Sequence, residues 1–409
     1  MTPLKAIMIG AGQRGNSYAP HAISHSDDLK FVAVAEPVEV RRNAFAEKYD
    51  INEENRLNTW EDVFARDRFA DVVIICTPDD LHFGPVMAAI EKGYDILLEK
   101  PISPSPEECV AVAKAAEEKG VKVIVCHVMR YTPFCMAIKS VIESGEIGRI
   151  VTIVHNENVG HIHHSHSFAR GNWRNKKESS PMILAKSCHD MDMLQWLVGK
   201  KCLRLSSFGS LTYFNKDNCP PDAPFRCTDG CAVADCPYDA RKLYLNSKND
   251  WFRSVAVGRF NSTDEEVLEA LKTGWYGRCV YQCDNDVVDH QVVSMQFEDD
   301  ITAIFSMSSF TPETSRSIKI MGTKGQIKGH TSSKNIIVTS FITGETREID
   351  ASSTGGHGGG DAGIMTAFVR HIRGEKVDGI SDATISAENH MLCFAAEESR
   401  LDNGRVIEL

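Results

Sequence analysis

Apolar residues in the first third of the chain fall in short runs, each closed by a glycine or a polar turn, with helix-like segments between them. Residues 5–9, Lys-Ala-Ile-Met-Ile, read as a strand and lead at once into Gly10-Ala11-Gly12-Gln13-Arg14-Gly15. A helix-like segment follows, and residues 31–35, Phe-Val-Ala-Val-Ala, form a second strand closed by Glu36, 21 residues after Gly15. Residues 71–76 are continuously apolar after Asp71, as a parallel strand buried on both faces should be. Thr77-Pro78-Asp79 ends that strand, a helix is predicted over 84–92, and further strands over 94–98 and 122–127. Beyond residue 150 strand-like runs recur at 150–157, 203–213, 287–297, 301–309, 317–321 and 335–341. Helices are predicted from His189 to about 197, over 363–372 and over 383–401, the last packing back on the first domain. The boundary is placed near 130, with a second domain over 131–409. An insert spans 215–285, whose first part, about 215–240, is cysteine-rich.

Strand, glycine turn, helix, strand and acid, in that order, make a dinucleotide site. Gly10 permits the tight turn, Gly12 lets the backbone approach the pyrophosphate, and Gly15 lets helix and strand pack closely, with Gln13 and Arg14 between them. Glu36 would accept hydrogen bonds from the adenosine ribose and repel a 2′-phosphate, which favours NAD; Arg41 and Arg42 leave NADP open. Ligands of such sheets bind at the carboxyl ends of the strands, where Thr77, Pro78, Asp79, His82, Glu99, Lys100 and His127 stand.

Composition narrows the partners. The 409 residues are 42% hydrophobic and 25% charged, so the chain is an ordinary globular one of two or three domains. Lys plus Arg is 45 against 56 Asp plus Glu, a net charge of −11 with no basic run, which excludes nucleic acid as an expected partner. No apolar stretch reaches the ~18–20 residues of a membrane span, and the start lacks a signal peptide's pattern. Thirteen cysteines, an odd number, point to reduced thiols and a cytoplasmic setting.

The motifs Gly10-x-Gly12-x-x-Gly15, Thr77-Pro78-x-x-x-His82, Glu99-Lys100-Pro101, Arg130-Tyr131 and Gly145-Glu-Ile-Gly148 resemble those of the glucose–fructose oxidoreductase / inositol dehydrogenase (Gfo/Idh/MocA) family. His189-x-x-Asp192 and Gly322-Thr-Lys-Gly325 extend the likeness across most of the chain. The resemblance implies an α/β protein: an N-terminal Rossmann domain plus a C-terminal α/β domain with a large open, mainly antiparallel sheet. That sheet commonly serves substrate binding and oligomerisation, hence a homo-oligomer, dimer or tetramer. It also implies NAD(P)-dependent oxidation or reduction of a hydroxyl carbon in a sugar or cyclitol. Lys100 suits the base and the group that steadies the forming carbonyl, given a pKa brought down to about 7–8 by burial and a neighbouring cation. By residue type alone it is a strand-end lysine paired with Glu99. His189 is the second catalytic candidate, but the related pattern has an aspartate where this chain has Ala185, and Lys186 is the nearest ionisable side chain.

Residues 161–174 crowd His161, His163, His164 and His166 ahead of Arg170, Asn172, Trp173 and Arg174. Polar edges and an apolar ring suit a sugar; imidazoles two apart on a strand would also suit a metal. Arg130, His166, Arg170, Asn172, Trp173, Lys186, Asp286 and His290 are the expected substrate contacts. The acidic segment 284–290 and the glycine-rich turn Gly355-Gly-His357-Gly-Gly-Gly-Asp361 are expected at the pocket's border, or are simple loops. Cys219, Cys227, Cys231 and Cys236 could close a structural zinc site, or hold an iron–sulfur cluster, or be free thiols. Three functions compete: a dehydrogenase of a sugar, cyclitol or sugar acid; a glycosidase that recycles its NAD through oxidation, elimination, hydration and reduction; and a non-catalytic nucleotide sensor.

Overall fold

The computed structural model describes residues 2–245, 250–259, 261–333 and 335–409. Strands β1 (Leu4–Ile9), β2 (Leu29–Ala35), β3 (Arg56–Leu57), β4 (Val72–Ile75), β5 (Asp95–Leu98) and β6 (Val123–Val125) form a parallel sheet in the order β3-β2-β1-β4-β5-β6. This is the doubly wound order, and its reversal point lies between β1 and β4, where a crevice opens at the carboxyl ends. The strand interiors are apolar because both faces are covered, with the charged Lys5, Lys30, Arg56 and Asp95 confined to the strands' beginnings. Ile7, Val73 and Ile96 face one core, while Met8, Ile74 and Leu97 face the other.

Helix α1 (Gln13–Tyr18) follows the glycine turn, α2 (Phe83–Glu91) follows β4, and α3 (Pro106–Lys119) follows β5. Ser105 caps α3 through the Glu108 N–H, Pro106 occupies its first turn, and Gly120 ends it in the left-handed conformation (φ 68°).

The second sheet is nine-stranded: β7 (Ile150–Asn158), β8 (Cys202–Ser210), β9 (His290–Phe297), β10 (Thr302–Ser308), β11 (Ser315–Gly322), β12 (Gly325–His330), β13 (Asn335–Ser340), β14 (Thr346–Asp350) and β15 (Ile407–Glu408). Its pairs are antiparallel except β7 with β10. One face buries Ile153, Val293, Phe305 and Ile320 against α4 (Pro133–Glu143) and α5 (Cys188–Val198). Phe208, Val292 and Ile304 are exposed on the other.

The insert carries α6 (Asp250–Val257), which is preceded in the chain by residues 246–249, outside the described ones. Helices α7 (Gly360–Ile372) and α8 (Ala383–Leu401) close the chain's architecture. Helix α8 joins the two halves: Ala383 and Ala387 belong to the first domain's core, Leu392, Cys393 and Ala396 to the second's. Among the described residues no helix is long and apolar enough to cross a membrane.

The histidine-rich segment departs from the strand expectation. It is helical, His161–His164 continuing into a π-helical turn over Ser165–Arg170, so imidazoles two apart point to different sides.

Candidate active site

The glycine turn is shaped by close approaches. Gly10 has φ +86°, and a Cβ there would sit 2.6 Å from the Cys76 carbonyl oxygen; one on Gly15 would sit 2.4 Å from the Gly10 carbonyl oxygen. A Cβ on Gly12 would meet nothing within 4 Å, so the backbone there borders open space. Glu36 is buried; its Oε2 accepts the Ala11 N–H (2.9 Å) and its Oε1 the Val38 N–H (3.0 Å). A carboxylate has about four acceptor directions, so Glu36 keeps capacity for ribose hydroxyls. The open cradle at Gly12 and this carboxylate fit a dinucleotide.

Other residues expected at the cofactor are committed to the protein. Arg42 donates to the Glu36 carbonyl (2.6 Å). Gln13 meets α6 of the insert, accepting from Trp251 Nε1 (2.6 Å) and donating to Ser254 (3.3 Å). The Thr77 hydroxyl closes its own turn on the Leu81 carbonyl. His82 is fully buried between the carbonyls of Pro101 (2.6 Å) and Thr77 (2.9 Å), so it fixes the Thr77-Pro78 turn to the Glu-Lys-Pro turn rather than facing a ligand. Arg14 reaches across the crevice: Nε donates to Glu99 Oε1 (2.6 Å) and Nη2 to Asp361 Oδ1 (2.8 Å) on α7. Glu99 also accepts from Tyr18 (2.6 Å) and the Lys100 N–H (2.7 Å), and Arg14 foremost among these partners holds it ionised against the cost of burial.

Lys100 follows β5, and its Nζ donates to the Ala185 carbonyl (2.7 Å), 5.9 Å from the centre of the Trp173 ring. Trp173 Nε1 and the Ser179 hydroxyl in turn meet the Asp79 carboxylate (3.4 and 3.1 Å), tying the second domain to the turn after β4. The expectation of a lowered lysine pKa is overturned. Burial does push Lys100 down, but Cys188, Glu99 and Asp79 together outweigh it and Arg14, leaving the pKa above that of a free lysine. In this environment Lys100 is held as an ammonium.

His189 has the opposite character. It is buried near the start of α5, and burial, with the Lys100 ammonium foremost among its neighbours, drives its pKa well below that of free histidine. Its Nδ1 has no hydrogen-bond partner, and its ring stands edge-on to His127 at 6.1 Å and 5.9 Å from His357. Lys186 is lowered by burial and by Arg316 and Lys100, against Glu157 and Asp190. Its ion pair with Glu157 is loose (3.5 Å) because that carboxylate is shared with Arg316 (2.8 Å) and Ser187 (2.7 Å). The structure thus gathers Lys100, His189, Lys186 and Trp173 beside the glycine turn.

The remaining expected substrate contacts lie elsewhere. Arg130 is buried in a bidentate pair with Asp192 (2.7 and 2.6 Å), a core ion pair. Arg170 is wholly buried, donating to the Arg278 and Tyr238 carbonyls. His166 sits in an aromatic box of Tyr244, Trp251, Phe252 and Tyr276, and burial lowers its pKa to about 3. Asn172 is exposed; Asp286 accepts the Lys176 N–H at the surface, and His290 pairs with Asp289 on β9. Each was selected for a residue type suited to sugars, which is also the type that ties loops together.

The four-cysteine site is not assembled. Among the described residues no three His, Cys, Asp or Glu side chains could hold a metal ion, and all thirteen cysteines are free thiols. Cys227, Cys231 and Cys236 line one small cavity with Cys279, but the buried Arg170 guanidinium lies there too, its Nη2 3.9 Å from Cys227 Sγ, while Cys219 packs beside Phe214 and takes a contact from Gln282 (3.4 Å). Residues missed by the sequence reading are Arg14 as the link across the crevice and Cys188 beside Lys100. Asp361 carried a signal, an acid four residues after His357.

A Rossmann crevice faced by a lysine ammonium and a neutral histidine from a second domain is the architecture of a nicotinamide-dependent oxidoreductase. The chain belongs to the Gfo/Idh/MocA oxidoreductase family: the family's NAD-binding Rossmann fold matches residues 4–127 and its C-terminal alpha/beta domain residues 139–400. YteT of Bacillus subtilis (strain 168) is 26% identical over 306 residues, 71% of this chain and 70% of YteT. The 2,7-anhydro-N-acetylneuraminate hydratase of Escherichia coli (strain K12) is 30% identical over 193 residues, 47% of this chain and 49% of the hydratase, so that match spans about half of each protein. An inositol dehydrogenase homolog from Azotobacter vinelandii, solved with NADH and myo-inositol, superposes with a TM-score of 0.70 at 13% identity, over 100% of this chain and 98% of that one. It shares the fold.

Proposed function

We propose that the protein transfers a hydride between NAD and a secondary hydroxyl carbon of a sugar, cyclitol or glycoside, with residues 1–130 holding the dinucleotide and 131–409 the substrate. The observation that carries this is the pairing of Lys100 and His189 at the crevice, one protonated and the other neutral. Oxidation needs a donor to the hydroxyl oxygen as it becomes a carbonyl and an acceptor for its proton. Lys100 serves as the donor and His189 as the acceptor, with Trp173 offering a ring to a sugar face. Glu36 favours NAD over NADP, and Arg42 is already engaged by the Glu36 carbonyl. The exposed Phe208, Val292 and Ile304 support self-association through the second sheet, and thirteen free cysteines support a cytoplasmic setting.

A redox-neutral route is the second reading, favoured by Lys186 and His357, two further proton-transfer groups beside His189. A sensor without catalysis would have no use for the assembled lysine and histidine. The test is a carbohydrate panel with NAD, following NADH and aglycone in the same wells. Stoichiometric NADH from free sugars supports the dehydrogenase. Aglycone release without net NADH supports the redox-neutral route, and neither signal on any sugar, cyclitol or glycoside refutes both.

A further inference from the structure

We propose that His127 is the positioning residue for His189: it accepts the His189 Nδ1–H, turns its own Nδ1–H to Asp192, and so fixes the tautomer that leaves His189 Nε2 free for the substrate. This rests on the hydride-transfer reading above. A histidine that takes a proton at one ring nitrogen carries a hydrogen on the other, and that N–H needs an acceptor to set the tautomer and the ring's orientation. The related pattern supplies an aspartate at position 185. Here Ala185 stands there, and its backbone carbonyl is taken by Lys100 (2.7 Å).

The acceptor has to come from another element, and the buried polar atoms show which. His189 Nδ1 is sealed from solvent without a partner, whereas its Nε2 is not sealed. Beside it stands His127, just past β6, wholly buried, edge-on to His189 at 6.1 Å and with neither ring nitrogen hydrogen-bonded. A buried polar atom without a partner costs stability, so three such nitrogens on two adjacent rings point to a shared use.

Asp192, one turn after His189 on α5, completes the chain. A carboxylate has about four acceptor directions. Asp192 Oδ1 takes Arg130 Nη2 (2.6 Å) and the Asn389 amide, and Oδ2 takes Arg130 Nε (2.7 Å). One direction is left, on Oδ2, and that is the oxygen 3.9 Å from His127 Nδ1. With Nδ1–H facing this carboxylate, His127 Nε2 is the acceptor for His189. The link to Asp192 is about 1 Å longer than a formed hydrogen bond, and catalytic contacts of this kind tighten when substrate fills the site.

The charges around the pair suit this arrangement. His127 faces Arg130 of its own turn, Lys100 and Glu99 after β5, Asp192 and His189 of α5, and His390 of α8 at 5.5 Å. His189 faces Lys100, His357 and Arg316 besides. Burial, with Arg130 and Lys100 against Glu99, keeps His127 neutral, the state in which one nitrogen donates and the other accepts. In the reaction the C–H electron pair leaves as hydride for the dinucleotide. The hydroxyl proton goes to His189 Nε2, and the O–H electron pair closes the carbonyl. His189 is then an imidazolium whose Nδ1–H is held by His127, and no proton leaves His127.

The test uses the full chain with NAD and a panel of free sugars and cyclitols. Proton–nitrogen spectra of protein carrying nitrogen-15 histidine are compared between wild type and H127F, with an H189Q spectrum to assign His189. The expected result is the Nδ1–H tautomer of His189 in wild type and loss of that preference in H127F. Single-turnover NADH formation should fall by about 10–100-fold in H127F, while KM for the sugar and Kd for NAD stay within about 3-fold. The acid limb of its pH–rate profile should move to lower pH, because an acceptor that favours the His189 imidazolium is gone. H127Q, which carries both an acceptor and a donor, should recover about 3-fold or more of the rate. His189 as the Nε2–H tautomer in wild type overturns the proposal, and this reading stands if H127F does not fold. An unchanged rate and pH profile in H127F, or a loss that lies wholly in KM or Kd, overturns it too. A wild type that transfers no hydride to any member of the panel overturns the reading on which it rests, and the His189 tautomer, read without substrate, then decides whether His127 holds the ring.

Discussion

Replacing Arg14 by Gln removes the cation that bridges the two halves of the crevice. Glu99 and Asp361 are only 6% and 7% exposed, and Arg14 27%, so the variant leaves two carboxylates buried without their guanidinium. Breaking a buried pair from one side costs about 3–5 kcal/mol. The lower end applies, because Glu99 keeps Tyr18 and the Lys100 N–H, Asp361 keeps His357, and Arg14 is partly wet. For a chain of 409 residues the shift is about 1.2 °C per kcal/mol, so a loss of about 3 kcal/mol lowers the melting temperature by about 3–4 °C in differential scanning calorimetry at pH 7 without ligand. The pH dependence has a definite sign. Arg14 and the hydrogen bonds hold Glu99 and Asp361 below ordinary carboxylate values against the cost of burial. Their stabilisation is therefore present above about pH 4, where the unfolded carboxylates ionise, and is lost as pH falls from there through the lower folded values. The gap between wild type and R14Q should hold from pH 7 down to about 4 and narrow as pH falls below that. In the double variant R14Q/D361N the cost should be less than the sum of the singles, since one stranded charge is gone. A melting temperature within about 1 °C of wild type at pH 7, or a gap that widens in acid, would refute the account.

Lys100→Met should cut single-turnover hydride transfer by about 10²–10⁴-fold while NAD affinity by calorimetry stays within a few-fold, and an unchanged rate would remove Lys100 from the chemistry. Asp192→Asn strands the buried Arg130 guanidinium and should cost about 3–5 kcal/mol in urea unfolding, with a loss below about 1 kcal/mol counting against a core role for the pair. Dialysis against EDTA should leave the melting temperature unchanged, because among the described residues no three His, Cys, Asp or Glu side chains are placed to hold a metal; a large fall would show a structural ion after all.

The first domain was legible because its code is local. A strand buried on both faces is an unbroken apolar run, and the expected residues 71–76 and 94–98 fall on Val72–Ile75 and Asp95–Leu98. The long terminal helix was equally legible, since 383–401 is its observed span. The second sheet was read less completely: Gly325–His330 and Thr346–Asp350 were missed. The first contains two glycines, and the second is almost wholly exposed, so neither shows alternation. The insert's helices were missed because the cysteines and prolines before them read as one long turn.

Side-chain roles were harder to read than elements, and Lys100 shows why. Its position after a strand was plain from Glu99-Lys100-Pro101, but its surroundings combine Glu99 and Asp79 of its own domain with Cys188, which is brought in by a helix of the other domain. The missing acid at Ala185 has the same kind of answer. The related pattern places a carboxylate there, whereas here the Ala185 backbone carbonyl accepts from Lys100 and the next residue contributes a second ammonium. Burial, with Lys100 and Arg316 nearby, then keeps His189 neutral without an acid beside it. Of the two imidazoles beside His189, His357 is paired with a carboxylate, Asp361 at 2.9 Å, and His127 is not hydrogen-bonded to one. On the proposed hydride-transfer reading Lys100 would hold the oxygen and His189 its proton, so the donor stands at a strand end of the first domain, the acceptor on a helix of the second, and Arg14 locks the segment bearing His357 to the dinucleotide turn.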